Sequence, residues 1–558
     1  MQSLLKRYFG YDDFRPKQLE IINNILEKRD SLVLMPTGGG KSICFQIPSL
    51  KMDGLAIVIS PLISLMKDQV DNLNANGVPA AYINSSLTYR QMEEIKEKAR
   101  KNEIKLLYIA PERLALEPFK VFLMTLNINL IAIDEAHCIS EWGHNFRKEY
   151  RNLKNLKILF PNLPIVALTA TATQKVKEDI LKQLGLDKPQ IFTSSFDRKN
   201  LKLIVAKKKN SFNKILSLLK KNKDNPAIIY CFSRKDTENL ALKLRERGFS
   251  ALPYHAGLPN AIRKQNQDQF IKDKVNIIVA TIAFGMGIDK PDVRLIIHHT
   301  FSKSLEGYYQ EIGRAGRDGL PSECVLFYSY GDKRKHDFFI DKMHPSPAKG
   351  SSVAKLDKMI EYCEGFECRR KTILEYFGEI GLEECTGCDF CLKLPELEGV
   401  DSENVVKFKR TTEKTYDKRL FEKLRRFRKI ISEERNVPPF IIFGDVSLRE
   451  MALYYPRTRD EMLKIKGVGQ QKLRDFGDRF IREIKLYVEE YNIILKKFEI
   501  KKRVKQKSLH AYDPWVEDED QQLTMLFSAN KPIREISLVL NRTPSAVRER
   551  LRMHRLIY

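Results

Sequence analysis

Leu34-Met35-Pro36-Thr37-Gly38-Gly39-Gly40-Lys41-Ser42 follows the short apolar run Ser31-Leu32-Val33-Leu34 and precedes Ser42 to Pro48, a segment that can open a helix. A strand, a glycine-rich turn and a helix start, in that order, leave backbone N–H groups free to surround phosphate oxygens at the helix N-terminus. Thr37, Gly38, Gly39 and Gly40 form the cradle, Lys41 can reach the β- and γ-phosphates, and the Ser42 hydroxyl can ligate Mg²⁺. Met35 replaces the usual first glycine, so the strict pattern is not met. Downstream, the apolar run Leu130-Ile131-Ala132-Ile133 ends in Asp134-Glu135-Ala136-His137. Such a pair can hold Mg²⁺ through Asp134 and orient or deprotonate an attacking water through Glu135. Each stretch alone has a plain structural reading, a glycine turn with a chance lysine or a solvated strand end. Together they imply that a nucleoside triphosphate is bound and hydrolysed.

The same rhythm of apolar strand, loop and helix recurs in the second half, at Ala227–Phe232, Asn276–Ala280 and Val293–His298. Alternation of this kind implies parallel sheets, and two of them side by side form a cleft at the carboxyl ends of their strands. Phosphoryl transfer needs positive charge on the γ-phosphate. The candidates are Arg314 and Arg317 in Gln310-Glu311-Ile312-Gly313-Arg314-Ala315-Gly316-Arg317, whose spacing places both on one helical face.

At 558 residues the chain is too long for one core, and three to five domains are expected. No apolar run approaches the ~18 residues of a membrane span, and Met1 to Gly10 lacks the apolar core of a secretion signal. A cytoplasmic location follows as the expectation. The net charge is +25, and residues 401–558 alone hold 36 Lys/Arg against 24 Asp/Glu. A polyanionic partner, nucleic acid first, is indicated. Five of the nine cysteines fall between Cys363 and Cys391. Cys368, Cys385, Cys388 and Cys391 have the spacing C-x16-C-x2-C-x2-C, which fits tetrahedral Zn²⁺ with Cys363 outside the set. An iron–sulfur cluster is the alternative.

These motifs, in this order, resemble those of RecQ-type DNA helicases of superfamily 2, over roughly residues 1–395 and again near 415–490. The resemblance implies two tandem RecA-like parallel-sheet domains, a zinc-binding helical segment and small all-helical C-terminal domains. It implies that Tyr11 and Arg15 flank an adenine ring and that Gln18 reads its edge. Ser60–Gln69 and Ala110–Leu114 resemble strand-gripping motifs, and Thr169-Ala170-Thr171-Ala172-Thr173 resembles a motif coupling nucleotide state to DNA contact. The stretch from His137 to Arg147, with Trp142 and Phe146, resembles an aromatic-rich loop that senses DNA and reports to Glu135 through His137. Arg317 is implied as the finger on the γ-phosphate and Arg314 as its supporting contact. ATP, Mg²⁺ and Zn²⁺ are the implied cofactors.

The expected domains are 1–197 and 198–343 (RecA-like), 344–400 (zinc segment), 415–492 (resembling an HRDC domain), 493–510 (basic linker) and 511–558 (resembling a Myb-like helix-turn-helix). Only 24 residues separate Cys391 from Tyr416, too few for the winged-helix domain that most RecQ helicases place there. In the HRDC-like stretch, Ile465–Leu473 resembles a hairpin whose amides hold a DNA phosphate. In the last unit Thr543 should cap a helix, Pro544 suits its first turn, and Ser545, Arg548 and Arg552 share a face suited to DNA. The RecQ resemblance implies a monomeric 3′–5′ DNA helicase acting on single-stranded and forked duplex DNA in repair and recombination. The rivals are a duplex translocase that does not separate strands, a DNA-binding regulator gated by ATP, and, less strongly, an RNA substrate.

Overall fold

The computed structural model describes residues 1–140, 147–186, 188–284, 289–344, 347–394, 416–493, 515–529, 531–540, 542, 544–554 and 556. Trp142 and Phe146, most of the basic linker, and the Thr543 cap lie outside the described residues.

The apolar runs become two parallel sheets. The first contains β1 (Ser31–Leu34), β2 (Leu55–Ile59), β3 (Ala80–Ile83), β4 (Leu106–Ile109), β5 (Ile128–Ile133), β6 (Ile165–Thr169) and β7 (Gln190–Thr193). Their order is β3-β4-β2-β5-β6-β1-β7, and every pair is parallel. The central strands β1, β2, β4, β5 and β6 are buried on both faces, which is why each reads as an unbroken apolar run rather than an alternating one. In this order the carboxyl ends of β5, β6 and β1 adjoin, so Asp134, Thr169 and the glycine turn after Leu34 meet at one rim.

The second sheet contains β8 (Leu201–Lys207), β9 (Ala227–Tyr230), β10 (Ala251–Tyr254), β11 (Ile277–Ala280), β12 (Leu295–His298) and β13 (Ser322–Tyr328). Its order is β10-β11-β9-β12-β13-β8, again all parallel. β9 stops at Tyr230, two residues short of the apolar run that foretold it, and β12 starts at Leu295 rather than Val293.

The edge strand β8 is covered by the cysteine-rich segment. Leu203 donates its N–H to the Gly387 carbonyl at 2.9 Å and accepts from Asp389 N–H at 2.9 Å. Arg370, buried, reaches Asp197 at 2.5 Å and the Leu201 carbonyl at 2.7 Å. These bonds occupy backbone groups that an open edge would offer to another chain.

Residues 416–493 form a helical domain around Leu420, Leu424, Ile431, Phe443, Met451, Phe480 and Ile484. Asp417 caps the helix Lys418–Arg435 and accepts the hydroxyls of Tyr455 and Tyr487. It touches both sheet domains, with Gly467 N–H donating to Gly10 O at 3.1 Å and Arg294 reaching Asp445 at 3.0 Å. Residues from Leu495 onward form a separate unit. Its helices Glu517–Ser528, Ile533–Val539 and Pro544–Met553 pack Leu523, Ile536, Val547 and Leu551 together. Arg542 and Arg550 lie against the Trp515 ring and pair with Glu519 and Asp520. Pro544 starts its helix as expected, and Arg548 and Arg552 are exposed one turn apart.

Candidate active site

The glycine turn after β1 leads into the helix Lys41–Lys51. Gly38 (φ +76°) and Gly40 (φ +89°) adopt left-handed backbone, which admits glycine without strain. A side chain at Gly40 would also strike the Gln18 carboxamide at 2.5 Å, so the turn is glycine for space as well as conformation. Gln18 donates to Gly40 O at 2.9 Å and receives Arg15 N–H at 2.8 Å, and the Arg15 guanidinium bonds Gly38 O. Arg15 and Gln18 therefore brace the phosphate turn, while Tyr11 stands 43% exposed beside them in sequence. The Lys41 ammonium contacts Met35 O at 3.2 Å. Burial lowers its pKa, and Arg317 and Arg198 act in the same direction, against Glu135 and Asp134.

Asp134 ends β5, and its pKa is raised by burial and by the neighbouring Glu135 charge. Glu135 has φ +49°, a backbone state that costs a non-glycine residue of order 1–3 kcal/mol and that collects at functional sites. His137 is buried, with Nδ1 3.3 Å from the Glu135 carboxylate and 2.9 Å from Thr169 Oγ1. Thr169 Oγ1 in turn holds the backbone of Thr171. A continuous path thus joins Glu135 to the Thr169-Ala170-Thr171 motif. Arg147 donates to Pro61 O at 2.6 Å, tying the end of the aromatic loop to the Ser60–Gln69 motif. Tyr150, not singled out from sequence, donates its hydroxyl to Asp134 O at 2.9 Å.

The second sheet domain delivers the arginines differently from expectation. The helix Leu305–Ile312 ends before either arginine, so Arg314 and Arg317 sit in a turn and do not share a helical face. The turn needs Gly316 at φ +51°, where a side chain would strike Asn200, Leu320 O and Ser322 within 2.7 Å. Both arginines still face the cleft. Arg314 is buried and feels the Glu135 charge, and Arg317 pairs with Asp289 at 2.6 Å. Buried Nε atoms of Arg314 and Arg317 have no hydrogen-bond partner among the described residues. Donors held dry in this way suit the oxygens of a bound triphosphate.

Arg198 is the residue that the sequence did not disclose. It donates to Thr37 O at 2.5 Å in the first domain, and to Gly313 O at 3.2 Å, Ala315 O at 2.8 Å and Gly316 O at 2.9 Å in the second. One guanidinium thus joins the phosphate turn to the arginine turn across the cleft. Its only local signal is a charged residue between the two strand sets, which is uninformative.

The sulfur atoms of Cys368, Cys385, Cys388 and Cys391 lie within 4.8 Å of one another. Backbone N–H groups of Cys385 and Cys391 point at the sulfurs of Cys391 and Cys388 at 3.3 and 3.4 Å, as donors do toward thiolates. The set fits tetrahedral Zn²⁺. Cys363 is packed in the core and takes no part. In the helical domain, the Ile465–Leu473 stretch is seated on the first sheet domain, where a side chain at Gly10 would meet Val468 N at 2.4 Å. The Gly467 amide is satisfied by Gly10 O there, not left for a phosphate.

Family models match in chain order. A DEAD/DEAH box helicase model covers residues 15–179, a helicase conserved C-terminal domain 208–319, a RecQ zinc-binding model 330–392 and an HRDC domain 417–484. The chain is 37% identical to an ATP-dependent DNA helicase RecQ of Haemophilus influenzae, over 88% of this chain and 96% of that protein. It is 37% identical to its Bacillus subtilis namesake, over 87% and 98% respectively. A putative ATP-dependent RNA helicase of Acanthamoeba polyphaga mimivirus is 44% identical over 70% of this chain and 72% of its own length. With a phosphate turn, an acidic strand end and a four-cysteine cluster assembled on two parallel-sheet domains, the chain belongs to the RecQ family of superfamily 2 helicases.

Proposed function

We propose that this protein is an ATP-dependent DNA helicase that moves 3′ to 5′ and separates the strands of tailed and forked duplexes. The observation that carries the reading is the Arg198 bridge, which brings the phosphate turn and the arginine turn to one cleft. Lys41 and the turn amides would hold the triphosphate, and Ser42 and Asp134 would hold Mg²⁺, which when bound there would supply positive charge to the phosphate oxygens. Glu135, set by its backbone and steadied by His137, accepts the proton of the attacking water. Arg317 and Arg314 stabilise the charge that builds on the transferred group. Closure of the two domains on nucleotide and their release after hydrolysis then move one grip on the strand relative to the other. Phosphate contacts dominate such grips, so little sequence preference follows.

The C-terminal three-helix unit adds DNA contact, with Arg548 and Arg552 exposed. Trp142 and Phe146 sense DNA through the loop that ends at Arg147. No described helix is long and apolar enough to cross a membrane. We place the protein in the cytoplasm, nucleoid-associated in a bacterium, as a monomer.

Strand displacement on forked, tailed and blunt DNA, with an RNA duplex of the same sequence alongside, tests the reading. Displacement of a labelled strand from forked or 3′-tailed DNA is the expected result. DNA-stimulated hydrolysis without displacement would instead establish a duplex translocase, and preferential action on RNA would reassign the substrate.

A further inference from the structure

Asp445 opens the helix Asp445–Tyr454 of the helical domain and is buried. One carboxylate oxygen accepts from Arg294 at 3.0 Å and the other pairs with Arg428 at 3.0 Å. Arg428 is itself fully enclosed and also donates to Phe443 O at 2.7 Å. Arg294, just before β12, turns both guanidinium ends to Asp318 at 2.8 and 2.5 Å. Asp318 follows Arg317 in the chain. The arginine turn is therefore pinned on both sides of Arg317. Arg198 holds the carbonyls of Ala315 and Gly316 before it, and Arg294 holds the carboxylate after it.

We infer that Asp445 is a positioning residue for Arg317, acting through Arg294 and Asp318, so that the seated helical domain sets the register of the arginine on the phosphate. Asp445 is the carboxylate that Arg294 and Arg428 share, next to the Lys290 pairs with Asp273 and Asp292, and removing it takes that anchor from both buried guanidinium groups at once. Arg294 keeps two carboxylate partners only while the helical domain is docked. Without Asp445 its guanidinium loses one of its two carboxylate anchors and can settle differently against Asp318, which it still grips by both ends. A displacement well under 1 Å at the next residue is enough to matter, because an arginine on a transferred phosphoryl group works only at hydrogen-bond distance. The contact is also reinforced nearby, by Lys272 on Asn436 at 2.6 Å and Lys429 on Asp273 O at 3.1 Å.

This inference rests on the reading of Arg317 as the transition-state arginine, and the test separates the two. Steady-state ATP hydrolysis with saturating single-stranded DNA is measured for the full chain and for Asp445→Asn, Asp445→Glu, Arg294→Lys, Arg317→Ala and the double variant Asp445→Asn/Arg317→Ala. Asp445→Asn should lower kcat about tenfold with KM for ATP within about twofold, since a contact made in the transition state is weakened and nucleotide binding is not. Asp445→Glu should recover part of the loss. The double variant should hydrolyse no more slowly than Arg317→Ala alone. If Asp445→Asn unfolds the helical domain, seen as a lost thermal transition, Asp445→Glu, which keeps the negative charge beside Arg428 and alters only its reach to Arg294, carries the same comparison. A kcat within twofold of the parent in the folded variant overturns the inference, as does an equal further loss in the Arg317→Ala background. If Arg317→Ala itself turns over ATP like the parent, it is the assignment of Arg317 that fails.

Discussion

Replacing Arg198 by alanine removes four charge-assisted hydrogen bonds at once, of which only the one to Thr37 O crosses the cleft. A hydrogen bond from a charged donor contributes about 1.5–3 kcal/mol. The cross-cleft bond alone therefore biases domain closure by about 10- to 150-fold. The three bonds inside the second domain shape the turn that presents Arg314 and Arg317, and water can refill part of that site once the side chain is gone. We expect kcat/KM for ATP, with saturating DNA, to fall about 100-fold in Arg198→Ala. Arg198→Lys keeps the charge but not the fork that spans Thr37 and Gly316, so it should lose about tenfold. Phosphate release against ATP concentration gives both constants, and circular dichroism checks that the fold persists. A folded Arg198→Ala enzyme within twofold of the parent would refute the bridge as part of the catalytic assembly.

Glu135→Gln should cut kcat by about 100- to 10,000-fold, the usual contribution of a positioned general base, while nucleotide binding persists; a fluorescent ATP analogue titration and a phosphate assay read the two. The purified chain should carry zinc held by Cys388 and its three partners, and Cys388→Ser should lose the metal and lower the melting temperature because Cys388 is buried against β8; a visible charge-transfer band and bound iron would instead mark an iron–sulfur cluster. Lys472 is buried and its pKa is pushed down from 10.5 to about 8 by burial. A buried base of this kind costs stability whenever both states are protonated, so Lys472→Met should stabilise the helical domain below pH 8 by up to about 3 kcal/mol. That gain should shrink as pH rises from about 8 to 10.5, where the unfolded lysine also loses its proton. Melting curves of both proteins at pH 7 and pH 10.5 decide it, and a pH-independent gain would mean that packing alone is responsible.

Much of this protein is written locally. The phosphate turn is readable because Gly38 and Gly40 need left-handed backbone, and few residues other than glycine accept it. The buried strands are readable because both faces of β1, β2, β5 and β6 are covered, which forces continuous apolar runs. The four-cysteine set is readable because thiolates separated by two intervening residues reach one ion whatever surrounds them.

Other features depend on partners more than a hundred residues apart. Arg198 meets Thr37 161 positions away and Gly316 118 positions away, and no spacing rule links such pairs. Arg314 and Arg317 look helical by period, yet the chain leaves the helix at Ile312 because Gly316 must turn sharply beneath Asn200 and Ser322. Arg294 and Asp445, 151 positions apart, read as ordinary surface charges until the helical domain is seated. Sequence alone thus determined the chemistry, since each reactive group is set by the few residues beside it. Tertiary structure alone decided how the two domains and the helical domain hold those groups in register, because long-range ion pairs leave no periodic trace in the chain.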